Sequence, residues 1–311
     1  MRLLVVGAGG VGGYFGARLA RAGEDVTLLA RGAHLEAIRQ HGLRIRSTIE
    51  GEYVATPAAV DDPRRSPPVD AVLVCVKSFD TEDALDRCAP AVGADTVVMS
   101  LQNGIDAAER IDARFGEGRA IGGVAYVFAS LESPGVVAHR FLGKIVLGEL
   151  DGRVTPRVER LRDAFARSGV PVDLSPAIRR VMWEKYLLIC AQAGMSALTR
   201  ASTGVMRSVP ETWRMYRAIL DEVAAIGRKA GAELADDVVD RLMAAASALA
   251  PETTSSLHHD LVSGKRLELE ALHGHAARLG ERLGVPTPAL SAVYAALKPS
   301  LMGAPGSGRS G

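Results

Sequence analysis

The chain has 311 residues, 48% of them hydrophobic and 23% charged, which allows two globular domains of ordinary composition. Lys plus Arg number 37 against 36 Asp plus Glu, and aromatic residues make up only 5%. Neither a basic surface for nucleic acid or an anionic membrane nor a base-stacking face is therefore expected. Cys75, Cys88 and Cys190 are scattered and odd in number, which excludes a disulfide framework and fits reduced, buried thiols in a cytoplasm.

The opening MRLLVVGAGG is too short and too glycine-rich for a signal peptide or membrane span, and RLLVVGAG (2–9) reads as a buried strand instead. A helix follows over 10–23, then a strand DVTLLAR (25–31), a short helix (34–42) and a hairpin across LRIRSTIEGEYVATPAAV. AVLVCVKS (71–78) and DTVVMSLQNG (95–104) are two more buried strands, each followed by a helical pattern, and AIGGVAYVFASL and HRFLGKIVLGEL close this half as strands. Strands alternating with helices predict a parallel sheet covered on both faces. From about residue 175 helical periodicity takes over, in 211–231, 236–250, 256–283 and 289–297, punctuated by Gly231, Gly284 and prolines. The expected division is an α/β dinucleotide-binding domain over 1–174, a helical domain over 175–302 and a disordered tail over 303–311. The apolar helices of the second half suit either a homodimer interface or a core.

Gly7-Ala8-Gly9-Gly10-Val11-Gly12 is G-x-G-x-x-G directly after a strand and before a helix. Gly7 permits the tight turn, Gly9 lets backbone approach a pyrophosphate, and Gly12 lets helix and strand pack closely; the helix N-terminus then stabilises phosphate charge. The second strand ends in Arg31 with no acid at its tip. A guanidinium cannot accept a ribose 2′-OH proton but suits a 2′-phosphate, so NADPH is preferred over NADH. Two further strands end in polar residues where open α/β sheets take ligands: Lys77, placed to meet cofactor or a substrate anion, and Asn103, placed to bond a carboxamide or substrate oxygen.

In VMWEKYLLICAQAGMSALTR (181–200), Gln192 and Ser196 fall within about 20° of the azimuth of Lys185 on an ideal helix, so a thin polar stripe crosses an apolar helix. Ser255, Ser256 and Glu268 lie in a later segment able to run back toward the same place; by base rate a single glutamate such as Glu268 is a solvated helical carboxylate. His273 and His275 diverge on a helix and no three-ligand set appears, so no metal is expected.

Taken in order, GAGGVGGYFGARLARAG, LLAR, VCVKS, LQNG, MWEK and TTSSLHHDLVSGKRLELEALHG resemble the ketopantoate reductase (2-dehydropantoate 2-reductase) family over nearly the whole chain short of the tail. The resemblance implies a Rossmann-type domain joined to an all-helical C-terminal domain, with NADPH as cofactor and a role in pantothenate biosynthesis. By position it implies the pyrophosphate loop at Gly7, Gly9 and Gly12, the 2′-phosphate ligand at Arg31, and nicotinamide- and substrate-side residues at Lys77 and Asn103. It further implies a substrate serine at Ser256 and a catalytic lysine at Lys185. Hydride addition to a 2-keto carbon leaves an alkoxide, and the Lys185 ammonium would polarise the carbonyl and supply the proton. Glu268 would orient that lysine or bond the substrate hydroxyl. The family carries substrate-binding asparagines four and eight residues after this lysine, whereas Ile189 and Ala193 stand here. Gln192 and Ser196 either compensate from the same stripe or the substrate is a more apolar 2-keto acid. A 3-hydroxyacid or opine-type dehydrogenase and a non-catalytic NADP-binding module are the competing readings.

Overall fold

The computed structural model describes residues 1–65 and 68–303, so all of the expected tail beyond residue 303 lies outside the described residues. The chain divides into two compact units, Met1–Gln102 with Asp106–Val181, and Asn103–Ile105 with Met182–Gly311.

The first unit runs β1 (Arg2–Val6), α1 (Gly10–Arg21), β2 (Asp25–Leu29), α2 (Gly32–His41), β3 (Leu43–Ser47), β4 (Gly51–Ala55) and β5 (Ala58–Val60). It continues through β6 (Ala71–Val74), α3 (Thr81–Cys88), β7 (Val97–Ser100), α4 (Ala107–Phe115), β8 (Ala120–Ser133), β9 (Val136–Gly148), α5 (Pro156–Arg167) and β10 (Val172–Leu174). The strand order is β4-β3-β9-β8-β7-β6-β1-β2-β5, with β10 beside β9. From β5 to β8 all neighbours are parallel, as expected. Beyond them the sheet is mixed, because the hairpins β3–β4 and β8–β9 pair antiparallel. The chain moves outward from β1 through β2 to β5, then returns to the other side of β1 for β6. This reversal is the switch point at which open α/β sheets take ligands outside their carboxyl ends.

The apolar run of β1 explains its central place. Leu3 and Val5 join one core with α1 and α5, while Leu4 and Val6 join another with α3 and α4. Alternate residues thus bury on opposite faces, each side chain stabilising the sheet by roughly 1.5–3 kcal/mol.

The second unit is helical: α6 (Ile178–Thr199, from Met182 onward), α7 (Thr203–Ser208), α8 (Pro210–Lys229), α9 (Val238–Ser247), α10 (Ser256–Val262), a π-turn (Glu270–Gly274), α11 (His275–Leu283) and α12 (Pro288–Leu297). Its core gathers Tyr186, Leu187, Cys190, Tyr216, Leu220, Leu272 and Leu290. The Glu222 carboxylate on α8 accepts the N–H groups of Ala289 and Leu290, each at 2.8 Å, and so caps the first turn of α12. The 256–283 segment is not one helix. It breaks after α10 at Gly264, whose φ of 63° is left-handed, and resumes only at the π-turn. Among the described residues no helix is long and apolar enough to cross a membrane.

Candidate active site

In the first unit, β1 delivers the chain directly into the glycine turn. Gly7 has φ 99°, and a Cβ there would meet Val76 at 2.8 Å, so only glycine fits. A Cβ at Gly12 would sit 2.1 Å from the Gly7 carbonyl oxygen, and one at Gly10 would sit 2.1 Å from the carbonyl oxygen of Ala129. Gly9 differs from both. Its φ is −70°, and a Cβ on it would meet nothing within 4 Å. No packing among the described residues accounts for glycine there, and a ligand seated against the backbone would. Gly9 is also the N-cap of α1, without a side-chain cap and with no acidic residue in the first turn. Unpartnered N–H groups at a helix start suit a pyrophosphate, so this turn fits a dinucleotide.

Arg31 precedes α2 as its N-cap and is 80% exposed; the nearest counter-charge is the Asp80 carboxylate at 4.0 Å. It stands at the carboxyl end of β2, beside the switch point. Lys77 is half-buried and occupies the N-cap position of the 3-10 turn Ser78–Asp80 that follows β6, with no side-chain capping bond. Gln102, at the end of β7, donates to the Val76 carbonyl at 3.0 Å and to the Thr81 hydroxyl at 2.9 Å, a tie between strand ends rather than a free ligand. Asn103, next in sequence, groups with the second unit. The first unit also carries an open depression of about 600 Å³ lined by Asp112, Glu149, Arg157 and Arg179 among others. None of the predicted site residues lines it, and its Glu149–Arg157 pair is an internal bidentate ion pair.

In the second unit, α6 carries Lys185 and the segment before the π-turn carries Glu268, which is 7% exposed rather than solvated. Burial lowers the Lys185 pKa to about 8, while the Glu268 carboxylate acts on it in the opposite direction. Desolvation of an ammonium brings its pKa toward the range in which a proton can be exchanged near neutrality. The polar stripe after Lys185 is committed elsewhere. Gln192 donates to the Thr203 hydroxyl at 2.8 Å, and Thr203 donates in turn to the Thr253 carbonyl at 3.0 Å. The Ser196 and Ser255 hydroxyls share a hydrogen bond of 2.7 Å, and Ser255 caps α10 by accepting from the His258 N–H. The Gln192 Oε1 atom is the one part of this stripe that is buried without a partner. Ser256 is exposed at the first position of α10. Ile189, one turn after Lys185, is half-buried against the core, and Ala193 is 3% exposed.

Comparison with known proteins follows this division. A family model described as ketopantoate reductase PanE/ApbA matches residues 3–152, and its C-terminal counterpart matches residues 177–300. The chain belongs to the ketopantoate reductase family. The 2-dehydropantoate 2-reductase of Mesorhizobium japonicum is 31% identical, over 96% of this chain and 97% of the relative. A PanE/ApbA family ketopantoate reductase from Ralstonia eutropha superposes with a TM-score of 0.88 at 34% identity, over 96% of this chain and 98% of that one. A D-mandelate dehydrogenase solved with NADH and anilino(oxo)acetate shares the fold, with a TM-score of 0.88 at 23% identity over 96% and 98% of the two chains. A ketopantoate reductase family member is an oxidoreductase that binds a dinucleotide and a small molecule, and both halves of the chain fit that description.

Sequence reasoning passes over Thr203 and Tyr186, and weighs His273 only as a metal ligand. Thr203 opens the short helix α7 and belongs to no motif of its own. Tyr186, however, adjoins Lys185, and a tyrosine inside an apolar helix needs a partner for its hydroxyl, which was a legible signal.

Proposed function

We propose that the chain reduces 2-dehydropantoate to pantoate with NADPH, using Lys185 as the general acid. The observation that carries this reading is the half-buried Lys185, whose pKa desolvation brings down to about 8 while the Glu268 charge opposes that shift. The dihydronicotinamide supplies a hydride to the 2-oxo carbon. The Lys185 ammonium polarises the carbonyl oxygen and gives it a proton as charge develops there, and Glu268 holds the ammonium in place. Gly7, Gly9 and Gly12 with the start of α1 take the pyrophosphate, Arg31 the 2′-phosphate, and Lys77 and Asn103 the nicotinamide and substrate side. Three free thiols support a reducing compartment such as the cytoplasm.

A second reading has its own support. Apolar Ile189 and Ala193 follow Lys185 at one-turn spacing, and the hydrogen bonds of Gln192 and Ser196 are spent on Thr203 and Ser255. A site short of polar partners favours a 2-oxo acid with a branched apolar side chain over one bearing a hydroxyl. The deciding experiment is NADPH oxidation with ketopantoate against 3,3-dimethyl-2-oxobutanoate, which lacks only the terminal hydroxyl. A preference for ketopantoate of about tenfold or more in kcat/KM supports the first reading. The reverse preference supports the second, and no oxidation with either would defeat both.

Two further outcomes are expected. Because Lys185 must be protonated to act as acid, kcat/KM for reduction should fall above about pH 8, and oxidation of the hydroxy acid should rise over the same range. A pH–rate profile flat between about pH 7 and 10 would contradict the assignment. Arg31→Ala should raise KM for NADPH about 10- to 100-fold, the worth of one charge-assisted phosphate contact, and leave KM for NADH nearly unchanged. Steady-state assays with both cofactors test this, and an unaltered NADPH preference would remove Arg31 from the site.

A further inference from the structure

The π-turn that begins two residues after Glu268 is pinned to α6 at two points. Its own backbone is wide: the Gly274 N–H donates to the Leu269 carbonyl, five residues back, at 2.9 Å. Such turns are rare and frequently occur at functional sites. The Tyr186 hydroxyl, 1% exposed, donates to the Leu272 carbonyl at 2.6 Å. His273, fully buried, meets the Cys190 carbonyl through Nε2 at 2.8 Å. A carbonyl only accepts, so Nε2 carries the proton. Burial lowers the His273 pKa to about 4, which keeps the ring neutral. Its Nδ1 then stands buried without a partner, a cost that packing alone gives no reason to bear. Gly194 on α6 makes room for the ring, since a Cβ there would lie 2.3 Å from Nε2.

The sequence positions of the two pins give them meaning. Tyr186 is the residue after Lys185, and Leu272 and His273 lie four and five residues after Glu268. Each pin therefore joins the backbone that carries the acid to the backbone that carries its carboxylate. We propose that Tyr186 and His273 are positioning residues that together fix Lys185 against Glu268 and keep the ammonium out of water. This rests on Lys185 acting as the acid. Burial is the larger influence on Lys185 and the Glu268 charge the smaller, so loosening the clamp hydrates the ammonium and makes it a weaker acid.

The test compares Tyr186→Phe, His273→Leu and His273→Gln with the intact chain. Competitive acetylation of lysines across pH, read by peptide mass spectrometry, follows the Lys185 pKa without any turnover. NADPH-dependent reduction of the preferred 2-oxo acid is followed alongside. Tyr186→Phe keeps the ring and His273→Gln keeps an N–H donor, so at least one informative variant of each pin retains its packing. Tyr186→Phe and His273→Leu should raise the Lys185 pKa by about half a unit or more and lower kcat about tenfold, with KM for NADPH unchanged. His273→Gln should restore much of both. If the variants melt earlier but the Lys185 pKa does not rise, the two residues are packing alone and the proposal is overturned. An intact chain that reduces no 2-oxo acid would defeat the functional reading, while the acetylation profile would still decide the clamp.

Discussion

Lys185→Met is expected to lower kcat by about 10²- to 10⁴-fold, the usual worth of a positioned general acid. Methionine preserves the length and apolar stem of lysine, so the packing of Trp183, Tyr186 and Leu187 around this part of α6 has no reason to change. What is lost is an ammonium whose pKa burial lowers to about 8, the group proposed above as the acid. Dinucleotide affinity should stay within about twofold, because the pyrophosphate and 2′-phosphate contacts assigned above do not include Lys185. The signature is thus a fall in kcat without a rise in the NADPH dissociation constant, measured by single-turnover kinetics and by quenching of protein fluorescence. Turnover within tenfold of the intact chain would mean that the proton comes from elsewhere. Loss of NADPH binding would mean that Lys185 serves the cofactor instead.

Gly9→Asp should separate binding from folding. Aspartate is among the best N-caps, and a carboxylate at the start of α1 interacts favourably with the helix dipole, so the melting temperature should hold or rise, by up to about 1 kcal/mol in stability. Neither the φ of −70° nor the open space around Gly9 opposes the side chain. The same carboxylate occupies the N–H groups that a pyrophosphate needs and repels it, so NADPH affinity should fall about 100-fold or more, which is close to 3 kcal/mol. Gly12→Ala is the contrast, since its Cβ would strike the Gly7 carbonyl at 2.1 Å and should damage fold and binding together. Calorimetric melts beside NADPH titrations make the comparison. An unchanged dissociation constant for Gly9→Asp would take the pyrophosphate away from this helix.

Local pattern made the first unit readable. The LLVV run, the glycine turn and the strand ends at Arg31 and Lys77 are all set by neighbours in sequence, and the observed strands β1, β2, β6 and β7 lie within the expected ones. β5 falls inside the expected hairpin because Ala58–Val60 is too short to show a period and is defined by pairing with β2. In the second unit, spacing placed Gln192 and Ser196 on the Lys185 azimuth but not their partners, which lie 11 and 59 residues away. The break at Gly264 and the π-turn shifted the phase of a segment whose apolar count still resembled one helix. Glu268 falls in that break, in a buried non-helical segment just before the π-turn, which sets aside the solvated-helix alternative.

The internal bonds of Gln192 and Ser196 also bear on how such a protein diverges. These two side chains stitch α6 to Thr203 and Ser255, so the helix stays anchored whatever stands at position 189. Ile189 takes part in no such stitch and is only half-buried. A lineage can then trade polarity at that single position without unfastening the helix, so that drift in preferred substrate and retention of the scaffold become separable histories.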